Sequence, residues 1–136
     1  MAICISQTQT LQCSAELVVA TLLDHEHLDR FFNASFATLP AHTGIWRRQV
    51  KMLGYQFIEH VKHTEQYSIE YYIAGQSPVK NHHAKIHLTP LKAGCQLVYV
   101  INCDAKFWQP TWLLKALITQ DLQRALIKLK AYCDAC

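Results

Sequence analysis

Glycine and proline are scarce in this sequence: four of each in 136 residues, all eight lying between Pro40 and Pro110. Such scarcity excludes a collagen-like or low-complexity chain, and leaves two end segments without helix breakers around a middle cut into short pieces. Charge is thin as well. Charged residues make up 17% against 51% hydrophobic, a balance that excludes disorder. Thirteen Lys and Arg oppose ten Asp and Glu for a net +3, and they are scattered rather than gathered into a basic stripe. A nucleic-acid partner is therefore not expected. The start, Met1-Ala2-Ile3-Cys4-Ile5-Ser6-Gln7, has no basic region leading into a long apolar core. No stretch reaches the roughly 18 apolar residues of a membrane span. The expectation is a cytoplasmic chain with no integral membrane association. Its six cysteines (Cys4, Cys13, Cys95, Cys103, Cys133 and Cys136) are then expected as thiols. The length suits one domain, residues 1–136, around one core.

What remains is legible as alternation. Ile3 to Leu11 reads as a strand, and Ser14 can cap a helix carrying Leu17, Val18 and Leu22, followed by a shorter one with Leu28, Phe31 and Phe32. In the middle, Arg47–Met52, Tyr55–His63, Tyr67–Ile73, His82–Leu88 and Gln96–Cys103 are rich in Ile, Val, Tyr and Phe with a largely period-two pattern. Short turns separate them, at Gly54, at Glu65-Gln66, from Gly75 to Val79 and from Pro90 to Gly94, as in an antiparallel meander. The last segment is helical: Leu114, Ile118, Leu122, Ala125, Leu129 and Cys133 share one face, and Pro110 suits the first turn. This order predicts an α+β fold, in which a curved antiparallel sheet of about six or seven strands wraps a long C-terminal helix, with two short helices after the first strand.

Strand parity assigns faces. Tyr55, Phe57, Glu59, Val61 and His63 form one face of their strand, expected inward; Trp46, Arg48 and Val50 alternate likewise. The next strands place Tyr67, Ile69, Tyr71 and Ile73, then Ala84, Ile86 and Leu88, on the same side. The resulting wall is aromatic with few polar groups, which is what a largely apolar ligand with one polar end requires, and equally what a filled core contains. Glu59 is the sharpest of these residues. An inward carboxylate must be paired, protonated or solvated. Pairing with Arg47 or Arg48 is one reading, and general acid/base action on a bound carbonyl compound is the other.

The eight histidines form no complete ligand set by spacing: His60 and His63 point to opposite faces of a strand, and neither His25-Glu26-His27 nor His82-His83 with His87 supplies three ligands. No metal or cofactor is expected. Cys133-Asp134-Ala135-Cys136 has CxxC spacing at the wrong end of a helix for thiolate activation; Cys133 continues the apolar stripe and Cys136 is expected to hang free. Phe107-Trp108-Gln109-Pro110-Thr111-Trp112 can pack the helix start onto the sheet, or serve as a gate or membrane-touching element.

Several phrases, in order, resemble the START-like, Bet v 1-type helix-grip superfamily, which includes polyketide cyclase/dehydrase-like and lipid-transport proteins. Ser14-Ala15-Glu16-Leu17-Val18 with Leu22-Leu23-Asp24 resembles its first helix, Gly44-Ile45-Trp46-Arg47 its Gly-x-x-Arg strand entry, and Glu59-His60-Val61 its Glu-x-Val. Tyr72 to Gly75 and Pro78 resemble its tyrosine strand and Ser-Pro turn, and Leu88-Thr89-Pro90 with Gly94 its penultimate hairpin. The chain departs at Tyr99, where many relatives carry Trp, at Thr64-Glu65, and at the polar Asn81-His82-His83. The resemblance implies a cavity under the long helix for a lipid, sterol, polyketide or aromatic compound. It also turns Tyr99 inward and adds Trp112 and Leu117 of the helix to Trp46, Arg48, Phe57, Glu59, Ile69, Tyr71, Ala84 and Ile86 as candidate ligand contacts. Three functions stay open: a carrier of a small hydrophobic molecule, a cyclase or dehydratase using Glu59 with Tyr71, Tyr99 or Arg48, and a protein-interaction module. A homodimer is left open.

Overall fold

A computed structural model describes residues 2–74 and 77–135. The Gly75 end of one expected turn, and Cys136, lie outside them. Strand β1 (Ala2–Leu11) is followed by helix α1 (Ala15–Leu22) and a 3-10 helix (His25–Arg30). Strands β2 (Ser35–His42), β3 (Ile45–Met52), β4 (Tyr55–Glu65), β5 (Ser68–Ala74), β6 (Lys80–Leu91) and β7 (Gly94–Asp104) come next, then helix α2 (Thr111–Asp134). All seven strands form one antiparallel sheet in the order β1-β7-β6-β5-β4-β3-β2. The sheet is curved, and with its long C-terminal helix it has the helix-grip form.

Local chemistry accounts for the elements. The Ser14 hydroxyl accepts from the Leu17 amide at 3.2 Å and caps α1, satisfying a donor that the first helical turn leaves free. In β1 the inward residues Ile3, Ile5 and Leu11 are buried while their neighbours face out. Pro110 stands one position earlier than expected, as the N-cap of α2, with φ −65° and an extended ψ. Gly94 starts β7 at φ +100°, a conformation that favours glycine, and its α-carbon passes so close to the Leu11 carbonyl that a β-carbon has no room. The close approach docks the β6–β7 hairpin onto the end of β1.

The hydrophobic core fills the space between sheet, α1 and the C-terminal half of α2. Val18 and Leu22 of α1 meet Ile86, Leu88 and Leu97 of the sheet and Leu126, Leu129 and Cys133 of α2 in one cluster. The N-terminal half of α2 is different: Leu114 and Ile118 are only partly buried, and Leu113 and Leu117 are exposed. Among the described residues no helix is long and apolar enough to cross a membrane.

Candidate ligand-binding site

Under that N-terminal half of α2 the sheet and helix separate around a cavity of about 190 Å³. Phe36, Val50, Phe57, Tyr71, Tyr99 and Ile101 line it from the sheet, Leu114, Ile118 and Leu122 from α2, and Phe32 from the segment that follows the 3-10 helix. Cavities of about 150 Å³ hold a benzene ring, so this one has room for a compact molecule.

The polar groups of the sheet come from β3 to β7. Arg48 and Glu59 are register partners across β3 and β4, and Nε of Arg48 donates to Oε1 of Glu59 at 2.6 Å. Both side chains are buried. The guanidinium also lies over the rings of Phe36 (5.5 Å) and Tyr71 (5.3 Å) and 3.4 Å from Nδ1 of His25. Burial, and next the Arg48 charge, push the His25 pKa below its ordinary value, so this imidazole is neutral at pH 7. The hydroxyls of Tyr71 and Tyr99 hydrogen-bond each other. Burial raises the pKa of both phenols, which stay protonated at neutral pH.

His82, on β6, completes the rim. Its ring stacks on Tyr71 with centroids 5.5 Å apart, and its Nδ1 is buried without a hydrogen-bond partner among the described residues. Burial lowers its pKa and keeps it neutral. An outer groove of about 650 Å³ shares Ile73, Val79 and His82 with the cavity as lining and adds Lys80, Lys106 and Trp108.

Of the eleven side chains expected at the site, Arg48, Phe57, Glu59, Tyr71, Tyr99 and Leu117 do line the cavity. The other five are placed elsewhere. Ile69, Ala84 and Ile86 face the same side of the sheet but belong to the solid core. Trp46 lies half-buried beside His25, ring centroids 5.8 Å apart. Parity fixes a residue's face but not its position along the strand, and α1 with the far half of α2 fills that part of the face. Trp112 is turned to solvent. With Phe107 96%, Trp108 60% and Trp112 74% exposed, these three aromatic rings do not pack the start of α2 onto the sheet. His63, expected inward, is exposed at the end of β4, with Nε2 3.0 Å from the Gln66 carbonyl.

Among the cavity residues that the sequence did not point to, Asp121 and Ile101 included, two are instructive. His82 is in phase with Ala84, Ile86 and Leu88, so carrying the parity of β6 two residues back finds it. Phe36 sits on β2, whose Pro40 and weak alternation hide the strand. Among the described residues no group of three His, Cys, Asp or Glu side chains is placed to hold a metal ion.

Comparison with known proteins agrees with this architecture. The family described as polyketide cyclase / dehydrase and lipid transport matches residues 2–134. A START superfamily protein from Mycobacterium smegmatis superposes with TM-score 0.83 at 17% identity, covering 97% of this chain and 97% of its own. Ara h 8.0201 superposes with TM-score 0.74 at 16% identity over 100% of both chains. The Zhui aromatase/cyclase from Streptomyces sp. R1128 gives 0.72 at 16%, covering 94% of this chain and 88% of its own. No curated protein matches the chain by sequence. At these identities the structural likenesses concern the fold, and the family match across nearly the whole length carries the assignment: the chain belongs to the polyketide cyclase / dehydrase and lipid transport family.

Proposed function

We propose that the protein binds a small hydrophobic molecule between its sheet and the N-terminal half of α2. The observation that carries this reading is the cavity itself: walls mainly of Phe, Val, Ile and Leu, with few polar groups, namely the Arg48–Glu59 pair, the Tyr71–Tyr99 hydroxyls, His82 and Asp121. An apolar space with a few fixed polar groups orients a ligand that has one polar region. Family membership supports the same class. The volume narrows it, because drug-sized pockets run from about 300 Å³ upward, so one or two fused rings or a short chain fit while a sterol requires α2 to move. Glu59 serves this site by neutralising Arg48; with Oε1 bound to the guanidinium, its role is to hold the pair rather than to move a substrate proton.

Val50→Phe tests the proposal, since Val50 lines the cavity and is otherwise buried. The larger ring is expected to take up part of the space, leave the fold intact or more stable by about 1 kcal/mol, and weaken uptake of naphthalene-sized probes seen by native mass spectrometry. Equal uptake by the folded variant overturns the reading.

A further inference from the structure

The outer groove has its own chemistry. Its wall contains Lys80 and Lys106 and, among the described residues, no Asp or Glu. Neither lysine has a carboxylate within ion-pair distance among the described residues. Lys106 is half-buried, its Nζ held 4.7 Å from the centre of the Tyr55 ring. The nearest acid in register, Asp104 opposite Lys80, accepts instead from Nδ2 of Asn81 at 2.7 Å. The groove is a built feature. The Gln109 side chain accepts from the Lys106 amide and donates to the Pro78 carbonyl, both at 2.7 Å, tying the loop before α2 to the turn before β6.

The inner cavity carries the opposite bias. Its one cation, Arg48, is already matched by Glu59, and Asp121 of α2 adds a second carboxylate to the lining. An anionic group is therefore disfavoured inside and favoured outside. His82 lines both, and its Nδ1 is buried with no hydrogen-bond partner among the described residues, a polar atom whose desolvation a ligand or water can offset.

Resting on the ligand-binding reading above, we infer that the ligand is an anionic amphiphile of the carboxylate class, with its apolar body in the inner cavity and its carboxylate in the outer groove against Lys106 and Lys80, within hydrogen-bond reach of His82 Nδ1–H. Neutral imidazole can place its single proton on Nδ1 to donate to such an oxygen. Charge-assisted bonds of this kind are about twice as strong as neutral ones, so the acid should be preferred to its amide.

The test is calorimetric titration of the intact chain with two matched pairs, 2-naphthoate with 2-naphthamide and octanoate with octanamide. The acid of at least one pair is expected to bind about tenfold more tightly than its amide at low salt, with the preference shrinking as ionic strength rises. Lys80→Gln with Lys106→Gln is expected to bring the acid down to the affinity of its amide; His82→Phe, which keeps a ring against Tyr71, should weaken the acid more than the amide, whose oxygen accepts the same Nδ1–H bond without a charge. Acid and amide binding equally, with Val50→Phe weakening both, overturns the anion assignment and leaves the cavity reading standing. Failure of all four compounds to bind overturns both.

Discussion

Removing the Glu59 charge is the most demanding test of the site's electrostatics. In Glu59→Gln the shape is kept while Arg48, only 6% exposed, loses its one carboxylate partner. Breaking a buried pair from one side costs about 3–5 kcal/mol because a charge is left uncompensated. Two features return part of that cost: the guanidinium lies over Phe36 and Tyr71, and the cavity beside it admits water. Cation–ring contacts contribute about 0.5–2 kcal/mol, so the lower end, about 3 kcal/mol, is expected. With a urea dependence of about 2 kcal/mol per molar for a domain of this size, the unfolding midpoint should fall by about 1.5 M. The double variant Arg48→Met, Glu59→Leu, which removes both charges, should recover to within about 1 kcal/mol of the parent, since apolar replacement of a buried pair is commonly neutral or better. Equilibrium urea unfolding followed by tryptophan fluorescence measures all three. A loss below about 1 kcal/mol in Glu59→Gln refutes the reasoning, and means that the pair is hydrated through the cavity.

Other parts of the molecule respond to perturbation in ways its packing dictates. Gly94→Ala should cost about 3 kcal/mol in urea unfolding, from a positive φ and from a β-carbon meeting the Leu11 carbonyl; a change under 1 kcal/mol shows that the hairpin is free to shift. His25 and His82 are both held below their ordinary pKa of 6.5 by burial. The unfolded chain therefore takes up protons first, and their contribution is fully present above pH 6.5 and declines as pH falls from there towards the folded-state values. His82→Phe should flatten the fall in urea midpoint between about pH 7 and 5, and an unchanged slope contradicts the assignment. Thiol labelling at about pH 7.5 of a chain carrying Cys136→Ser should modify exposed Cys4 at once. Buried Cys13, Cys95, Cys103 and Cys133 should react only on unfolding, Cys103 additionally because burial pushes its pKa up to about 11. Rapid labelling of more than one thiol speaks against the packing described.

Much of the fold was readable because periodicity reports burial directly. β1 and β4 alternate cleanly, and the stripe from Leu114 to Cys133 is the face that α2 turns inward. β2 was missed since Pro40 and a single aromatic give it little alternation. The site was legible by face and not by depth. Arg48, Glu59, Phe57 and Tyr71 were reached by parity, but the same parity also selected Ile69, Ala84 and Ile86, which the core absorbs. His82 lay two residues beyond where the alternation of β6 was followed, and nothing in its spacing announces an unpartnered ring nitrogen.

By itself, then, the sequence determined the order of elements, the inward face of each central strand and the need for Glu59 to find a cation, because these depend on local geometry and on the cost of burying charge. Only the tertiary structure decided where along those faces the chain closes into a core and where it stays open. That boundary depends on how far α2 lies from the sheet at each point along its length, and on α1 filling one end of the curve but not the other. Those distances are set jointly by seven paired strands and no single segment encodes them.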